Sequence, residues 1–357
     1  MAWTACAALF ACTSASAGSS GDAAQAVAGY VAMERYLVAP GKHSYRETDA
    51  WPISQAVAAT IAVARIPGVA TDAAAFAARG FRQLGPLRLG ALYRANAGGA
   101  VYYDDNEWIA EDLLDWNLYR RDPAAVARAE AIFAGVVKAW DADASTPCAG
   151  GVYWTTASGV GDRNTVSTAN GALVGLRLYA LTHRPVFLYW SRRMLDWVDA
   201  CMLAPDGLYW DHVGADGAVD RSEWTYNQGI LVGAYLMLYE TTHDVSALGR
   251  AERLTDATIT AFAGNRLSAE PPEFAAVFFR HALELAAVDG RSSYVSAAQS
   301  YADAAWNDVR DPATGLFSER LLGQAAFVQL YAQLAVTETG AARSASPPRG
   351  AAPTGPG

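Results

Sequence analysis

The sequence predicts an all-α chain folded as an (α/α)6 barrel, six helical hairpins closed into a toroid. Three observations lead there. Apolar residues recur with helical period in about twelve segments that fall into pairs, with long loops alternating with short ones. The two helices of a pair differ in kind. Tyr226 to Tyr239 is uncharged and small or apolar all round, as a fully buried helix must be, whereas Ala124 to Trp140 carries Arg128, Glu130 and Lys138, as an outer helix should. There is also a weak internal echo: Asn170-Gly171-Ala172-Leu173-Val174-Gly175 returns further on as Asn227-Gln228-Gly229-Ile230-Leu231-Val232-Gly233.

In order, the first helix spans Asp22 to Val38 with Asp22 as its cap, and a polar loop follows. Trp51 to Ile66 is strongly apolar and is stopped by Pro67-Gly68; Thr71 to Leu84 follows, then a loop rich in Gly and Tyr up to Tyr103. The next helix runs to about Tyr119. Asp122-Pro123 supplies an N-cap with proline at the first helical position and opens a helix to Trp140. Beyond a long loop lie Thr168 to Thr182, Pro185 to Met202, Tyr226 to Thr242, Ser246 to Phe262, Glu273 to Val288, Ser292 to Val309 and Gln324 to Val336.

In such a toroid the inner helices all begin at one end. The loops before them are the polar and aromatic ones, so they converge on one cleft. The most unusual is Tyr102-Tyr103-Asp104-Asp105-Asn106-Glu107-Trp108, two adjacent carboxylates between aromatics at a loop-to-helix junction. One aspartate there is explained by capping. Two in a row, flanked by Tyr103 and Trp108, also suit the spacing of roughly 5 Å between the two carboxyls of a retaining glycosidase. Taken alone, an Asp-Asp pair is more often a cap plus a surface acid, and Glu107 and Asp112 read as capping or solvent-facing.

The ordered set of motifs is more specific. Tyr-Tyr-Asp-Asp-Asn-Glu-Trp, then Gly150-Gly151-Val152-Tyr153-Trp154, then Arg163-Asn164-Thr165-Val166-Ser167-Thr168-Ala169-Asn170-Gly171, then Trp224-Thr225-Tyr226-Asn227-Gln228-Gly229 resembles glycoside hydrolase family 76, in the family's order, over roughly residues 25 to 335. The resemblance implies an endo-α-1,6-mannanase on the same (α/α)6 fold. By that resemblance Asp104 is the nucleophile that forms a mannosyl-enzyme intermediate, and Asp105 is the acid that protonates the leaving oxygen and later activates water. Asn164, Asn170, Asn227 and Gln228 offer the paired donors and acceptors that sugar hydroxyls need, or else serve as caps. Asp211 binds a hydroxyl or forms an Asx turn. Among aromatics able to stack on a pyranose ring, Trp224 and Tyr226 are preferred over Trp51 and Trp154 for their neighbours. A transglycosylase running through the same intermediate, a silent glycan-binding protein of the same fold and another helical-toroid enzyme are the competing readings.

Composition narrows the field. Hydrophobic residues make up 52% and charged ones 18%, so a large core forms with few solvated positions. The net charge of −9, with no basic run, argues against nucleic acid as a partner. The 5 His are scattered without metal-ligand spacing, so neither a metal nor a cofactor is expected. Residues 1–20 are Ala/Ser-rich with a short apolar middle and an Ala15-Ser16-Ala17 cleavage-like site but no basic start, which reads as a leader; Cys12 leaves a lipoprotein form open. No membrane span is expected, and a secreted or cell-surface monomer is. The expected organisation is therefore leader 1–20, catalytic domain 21–338 and a disordered Pro/Gly/Ala-rich tail 339–357. Cys148 and Cys201 are read equally as a disulfide or as two buried thiols.

Overall fold

The computed structural model describes residues 21–41, 44–69 and 72–345; the expected leader, with Cys6 and Cys12, and the tail beyond 345 lie outside the described residues. The helices are α1 (Gly21–Tyr36), α2 (Ala50–Ala64), α3 (Ala73–Leu84), α4 (Tyr103–Arg120), α5 (Pro123–Lys138), α6 (Thr165–Thr182) and α7 (Pro185–Cys201). They continue as α8 (Thr225–Thr242), α9 (Val245–Ala261), a short α10 (Asn265–Ala269), α11 (Pro272–Asp289), α12 (Ser292–Ala304) and α13 (Leu321–Ala345).

An inner ring forms from α2, α4, α6, α8, α11 and α13, each packed on the next and α13 closing back on α2. The outer helices α3, α5, α7, α9 and α12 each follow their inner partner, while α1 packs on α13, so the first and last helices make the sixth hairpin. Inner helices pass to outer ones through tight turns. Arg121, His183, His243 and Gly290 end α4, α6, α8 and α11 in the left-handed region, at φ 54°, 55°, 60° and 75°. Each donates its backbone N–H to a carbonyl four residues back.

The last helix continues to Ala345, beyond Val336 where the apolar periodicity fades. α6 begins at Thr165, three residues before its expected start, because Asn164 caps it: its Oδ1 accepts from Ser167 N at 3.2 Å. The internal echo is not a structural equivalence. A Cβ on Gly171 would meet Glu107 of α4 and Met194 and Val136 of the flanking outer helices, and one on Gly175 would meet Ser191 and Phe133, whereas Gly229 and Gly233 admit α11 through Phe278 and His281.

Two features were not foreseen. Short strands stiffen the loops: β1 (Arg88–Leu89) pairs with β2 (Leu92–Tyr93), and β4 (His212–Val213) lies antiparallel between β3 (Arg163–Asn164) and β5 (Val219–Asp220). The inner ring is also not free of charge. Glu107 and Asp112, expected at solvent or in caps, are buried, and so are Glu111 and Asp115. The lower end of this acidic face is neutralised across the barrel axis, where Arg177 of α6 and Arg280 of α11 lie 2.5 and 3.0 Å from Asp115. Cys148 and Cys201 form a disulfide that ties the loop after α5 to the end of α7.

Candidate active site

The start of α4 is anchored before it is chemical. Asn106, fully buried, accepts from Tyr93 N at 2.6 Å and donates to Tyr93 O at 2.9 Å and Tyr102 O at 2.7 Å. The amide of Tyr103 donates to Trp154 O at 2.9 Å, so the Gly-Gly-Val-Tyr-Trp segment runs alongside the acid pair. Its glycines are required. Gly150 and Gly151 sit at φ 108° and 82°, and a Cβ on either would come within 2.8 Å or less of a tryptophan ring, Trp197 in both cases.

Asp104 is then held from two sides. Its Oδ1 accepts from the Asp105 amide at 3.0 Å and its Oδ2 from Trp154 Nε1 at 3.2 Å. Burial pushes its carboxyl up to about 6; the two hydrogen bonds pull it down, and the charge of Asp211 pushes it up. Asp105 is pushed well above the usual carboxylate range, first by burial and then by the charges of Asp104 and Asp49. The pair is thus graded: the proton leaves Asp104 first and stays longer on Asp105.

Asp104 opens into a cavity of about 270 Å³ at the N-terminal ends of the inner helices. Its polar wall is Asp104, Asp162, Asn164, Asp211 and His212, and its aromatic wall is Trp51, Trp108, Trp154, Tyr226 and Phe274. The register explains the convergence. Trp51, Asp104 and Tyr226 are each the second residue of their helix, Phe274 the third of α11, and Asn164 the cap of α6. Five helix N-termini therefore point at the cavity, and their dipoles favour negative charge there. The pairing of β3 with β4 sets Asn164 opposite His212. Asp211 is a hub: its Oδ1 accepts from Tyr226 Oη at 3.2 Å and Asn227 Nδ2 at 3.0 Å, and its Oδ2 lies 2.9 Å from His212 Nδ1. Phe274 stacks within 4.2 Å of Tyr226 and 6.4 Å of Trp51, extending the aromatic wall between α2 and α8.

Of the residues singled out from the sequence, Asp104, Asn164, Asp211 and Tyr226 line this cavity. Asp105 is not among the lining residues and sits between the charges of Asp104 and Asp49, and Asn227 braces Asp211 from behind. Trp224 packs edge-on against Phe274 rather than on the cavity. Gln228 and Asn170 are placed elsewhere. Gln228 is fully buried with its amide spent on Tyr209 N and O and Trp224 O, and Asn170 is fully buried below the cavity. Trp51 and Trp154, ranked below Trp224 from sequence, are in the wall, and Phe274, Asp162 and His212 were missed. Phe274 shares with Trp51 the first turn of an inner helix, while Asp162 precedes β3 and His212 lies in β4, which pairs with β3. No group of three or more His, Cys, Asp and Glu side chains suited to a metal occurs among the described residues.

The sequence model of glycosyl hydrolase family 76 matches residues 19–275. Mannan endo-1,6-alpha-mannosidase DCW1 of Saccharomyces cerevisiae is 33% identical over 132 residues, which is 34% of this chain and 28% of that protein. The chain thus spans well under half the length of the curated relative it matches. Among solved structures, an α-mannanase of family 76 from Bacteroides thetaiotaomicron superposes with a TM-score of 0.81 at 19% identity, over 90% of this chain and 97% of the other. An α-1,6-mannanase from a Salegentibacter species, described as an inactive variant with two consecutive aspartates changed to asparagine and bound to α-1,6-mannotriose, gives 0.74 at 17% identity over 88% and 99%. At these identities the structures speak for the fold, which is the (α/α)6 barrel.

Proposed function

This chain belongs to glycosyl hydrolase family 76, and from that premise we propose that it is a retaining endo-glycosidase that cleaves α-1,6-mannosidic bonds in mannan-type polysaccharides. One observation carries the reading: consecutive carboxyls open α4, the first of them lining an aromatic-walled cavity, and both are raised above the usual carboxylate range, Asp104 to about 6 and Asp105 well above that range, in part by the charge of Asp104. That is the division a double displacement needs. Asp104, oriented by Trp154 and its own following amide, attacks the anomeric carbon and displaces the leaving sugar. Asp105 gives its proton to the departing oxygen. It then takes a proton from water, which attacks the same carbon and releases Asp104. Asn164 and Asp211 meet sugar hydroxyls from the polar wall, while Trp51, Tyr226 and Phe274 give the pyranose its apolar platform.

The relatives support the substrate. A neighbour described as an α-1,6-mannanase was captured with α-1,6-mannotriose after two consecutive aspartates were replaced, and this chain carries such a pair at Asp104 and Asp105. No helix among the described residues is long and apolar enough to cross a membrane. A polymeric cell-wall substrate places the enzyme outside the cell, secreted or surface-bound.

Incubation with linear α-1,6-mannan, followed by chromatography and by proton NMR of the newly formed anomeric centre, tests this. Shortened oligomers released first in the α configuration are expected. Release in the β configuration, or a substrate left intact, overturns the proposal.

A further inference from the structure

Asp104 is the first of four acids on one face of α4. Steps of three, four and four residues bring Glu107, Glu111 and Asp115 into line beneath it. The lower two have cationic partners, since Arg177 and Arg280 approach Asp115 to 2.5 and 3.0 Å and Glu111 to 3.5 and 3.7 Å. Glu107 has none. It is completely buried, and neither carboxyl oxygen meets a hydrogen-bond partner among the described residues. An ionised carboxylate in that position would be far too costly to bury, whereas the acid form is not. Burial, then the charges of Asp104 above and Glu111 below, all push its carboxyl well upward.

The facing helix is shaped to receive it. A Cβ on Gly171 of α6 would stand 3.2 Å from Glu107 Oε1, so glycine leaves the slot that the acid fills. Asn170, next to it, is also fully buried, and both ends of its amide lack a partner. A neutral carboxylic acid supplies one donor and an acceptor, and the amide supplies both, so the two side chains are chemically matched.

We propose that Glu107 is a positioning residue for Asp104: uncharged, seated in the slot left by Gly171 and bridged to the Asn170 amide through one water, it adds no charge beneath the cavity that would oppose the ionisation of Asp104. An ionised Glu107 one helical turn away would oppose ionisation of Asp104. An apolar replacement would leave Asn170 unpaired and remove the polar group one helical turn below Asp104. The rate arm of the test rests on the hydrolase reading above; the spectroscopic arm does not.

In the spectroscopic arm, infrared spectra of the full chain without substrate are compared with those of Glu107→Gln and Glu107→Leu at pH 7. The protonated-acid C=O band of the wild type is expected to lose intensity in both variants. The ionisation midpoint of Asp104, identified by the carboxylate signal missing in Asp104→Asn, is expected to hold in Glu107→Gln and to move by about half a pH unit or more in Glu107→Leu. In the rate arm, Glu107→Gln keeps kcat on linear α-1,6-mannan within about threefold, while Glu107→Leu loses about tenfold or more at unchanged KM and Tm. Loss of an ionised carboxylate band in Glu107→Gln, an Asp104 midpoint unmoved in Glu107→Leu, or a Glu107→Gln variant as slow as Glu107→Leu overturns the proposal. A wild type that leaves mannan intact yet passes the infrared arm removes the hydrolase reading and leaves the neutral Glu107 standing.

Discussion

At the scale of the residue, the chemistry depends on two neighbouring carboxyls being kept unlike. Asp104 receives an indole N–H and a backbone amide, and Asp105 receives neighbouring negative charge. On the proposed mechanism Asp104→Asn removes the nucleophile and Asp105→Asn the proton donor. Each is expected to lower kcat on α-1,6-mannan by about a thousandfold or more with circular dichroism unchanged; turnover near wild type in either variant would release that residue from its role. The same grading fixes a pH profile. If Asp104 acts ionised, as proposed, its carboxyl raised to about 6 makes kcat/KM fall as pH drops through that region. If Asp105 acts protonated, its carboxyl, pushed well above the usual range, makes kcat/KM fall again as pH rises through its own value. A bell is expected, its two limbs belonging to the coupled pair. A rate that stays flat from neutral pH down to about pH 4, the ordinary range of a free aspartate, would contradict the arrangement.

At the scale of the element, the inner helices share a device that sequence reading passed over. The fourth residue of α4, α6, α8 and α13 is polar and clamps the backbone of the loop in front: Asn106 on Tyr93, Thr168 on Val152 N at 3.0 Å, Gln228 on Tyr209, and Gln324 on Phe317 N at 2.7 Å. Asn106→Ala takes the side-chain partner from the Tyr93 amide and carbonyl and leaves Tyr102 O only the backbone amide of residue 106. A loss of about 3 kcal/mol in urea unfolding is expected, with a drop in kcat beyond the change in folded fraction; an unchanged midpoint would show the clamp to be idle. Knowing this register would have moved Gln228 from the sugar ligands to the scaffold. Phe274 was illegible for a different reason: a lone Phe behind Pro271-Pro272-Glu273 reads as the start of an ordinary helix, and only ring closure brings α11 beside α2 and α8. The charge-free run from Tyr226 to Tyr239 did reveal an inner helix, because burial on every side leaves a composition that can be read directly. On α4 that rule failed, since Glu111 and Asp115 are offset by arginines from other helices, which no local pattern displays.

At the scale of the whole molecule, the spans of the helices and their pairing were legible because apolar periodicity and short turns are local properties. The short strands were not, since β3 and β4 pair across nearly fifty residues of chain. The disulfide bridges 53 residues of sequence, from the loop beside Trp197 to the end of α7. Reduction is expected to cost about 4 kcal/mol, the loop-closure entropy for that length, read as a lower Tm in the presence of a thiol reductant; an equal Tm with and without reductant would show the crosslink to be ornamental. The sixth hairpin has a consequence for how the chain comes to be folded. Its outer strut α1 leaves the ribosome before the other described helices, and the inner strut it leans on, α13, after them. Until α13 is made, the apolar flanks of α2 and α11 face an open gap. The ring therefore shuts only once its last inner helix has emerged, and until then the nascent barrel must be shielded from its fellows.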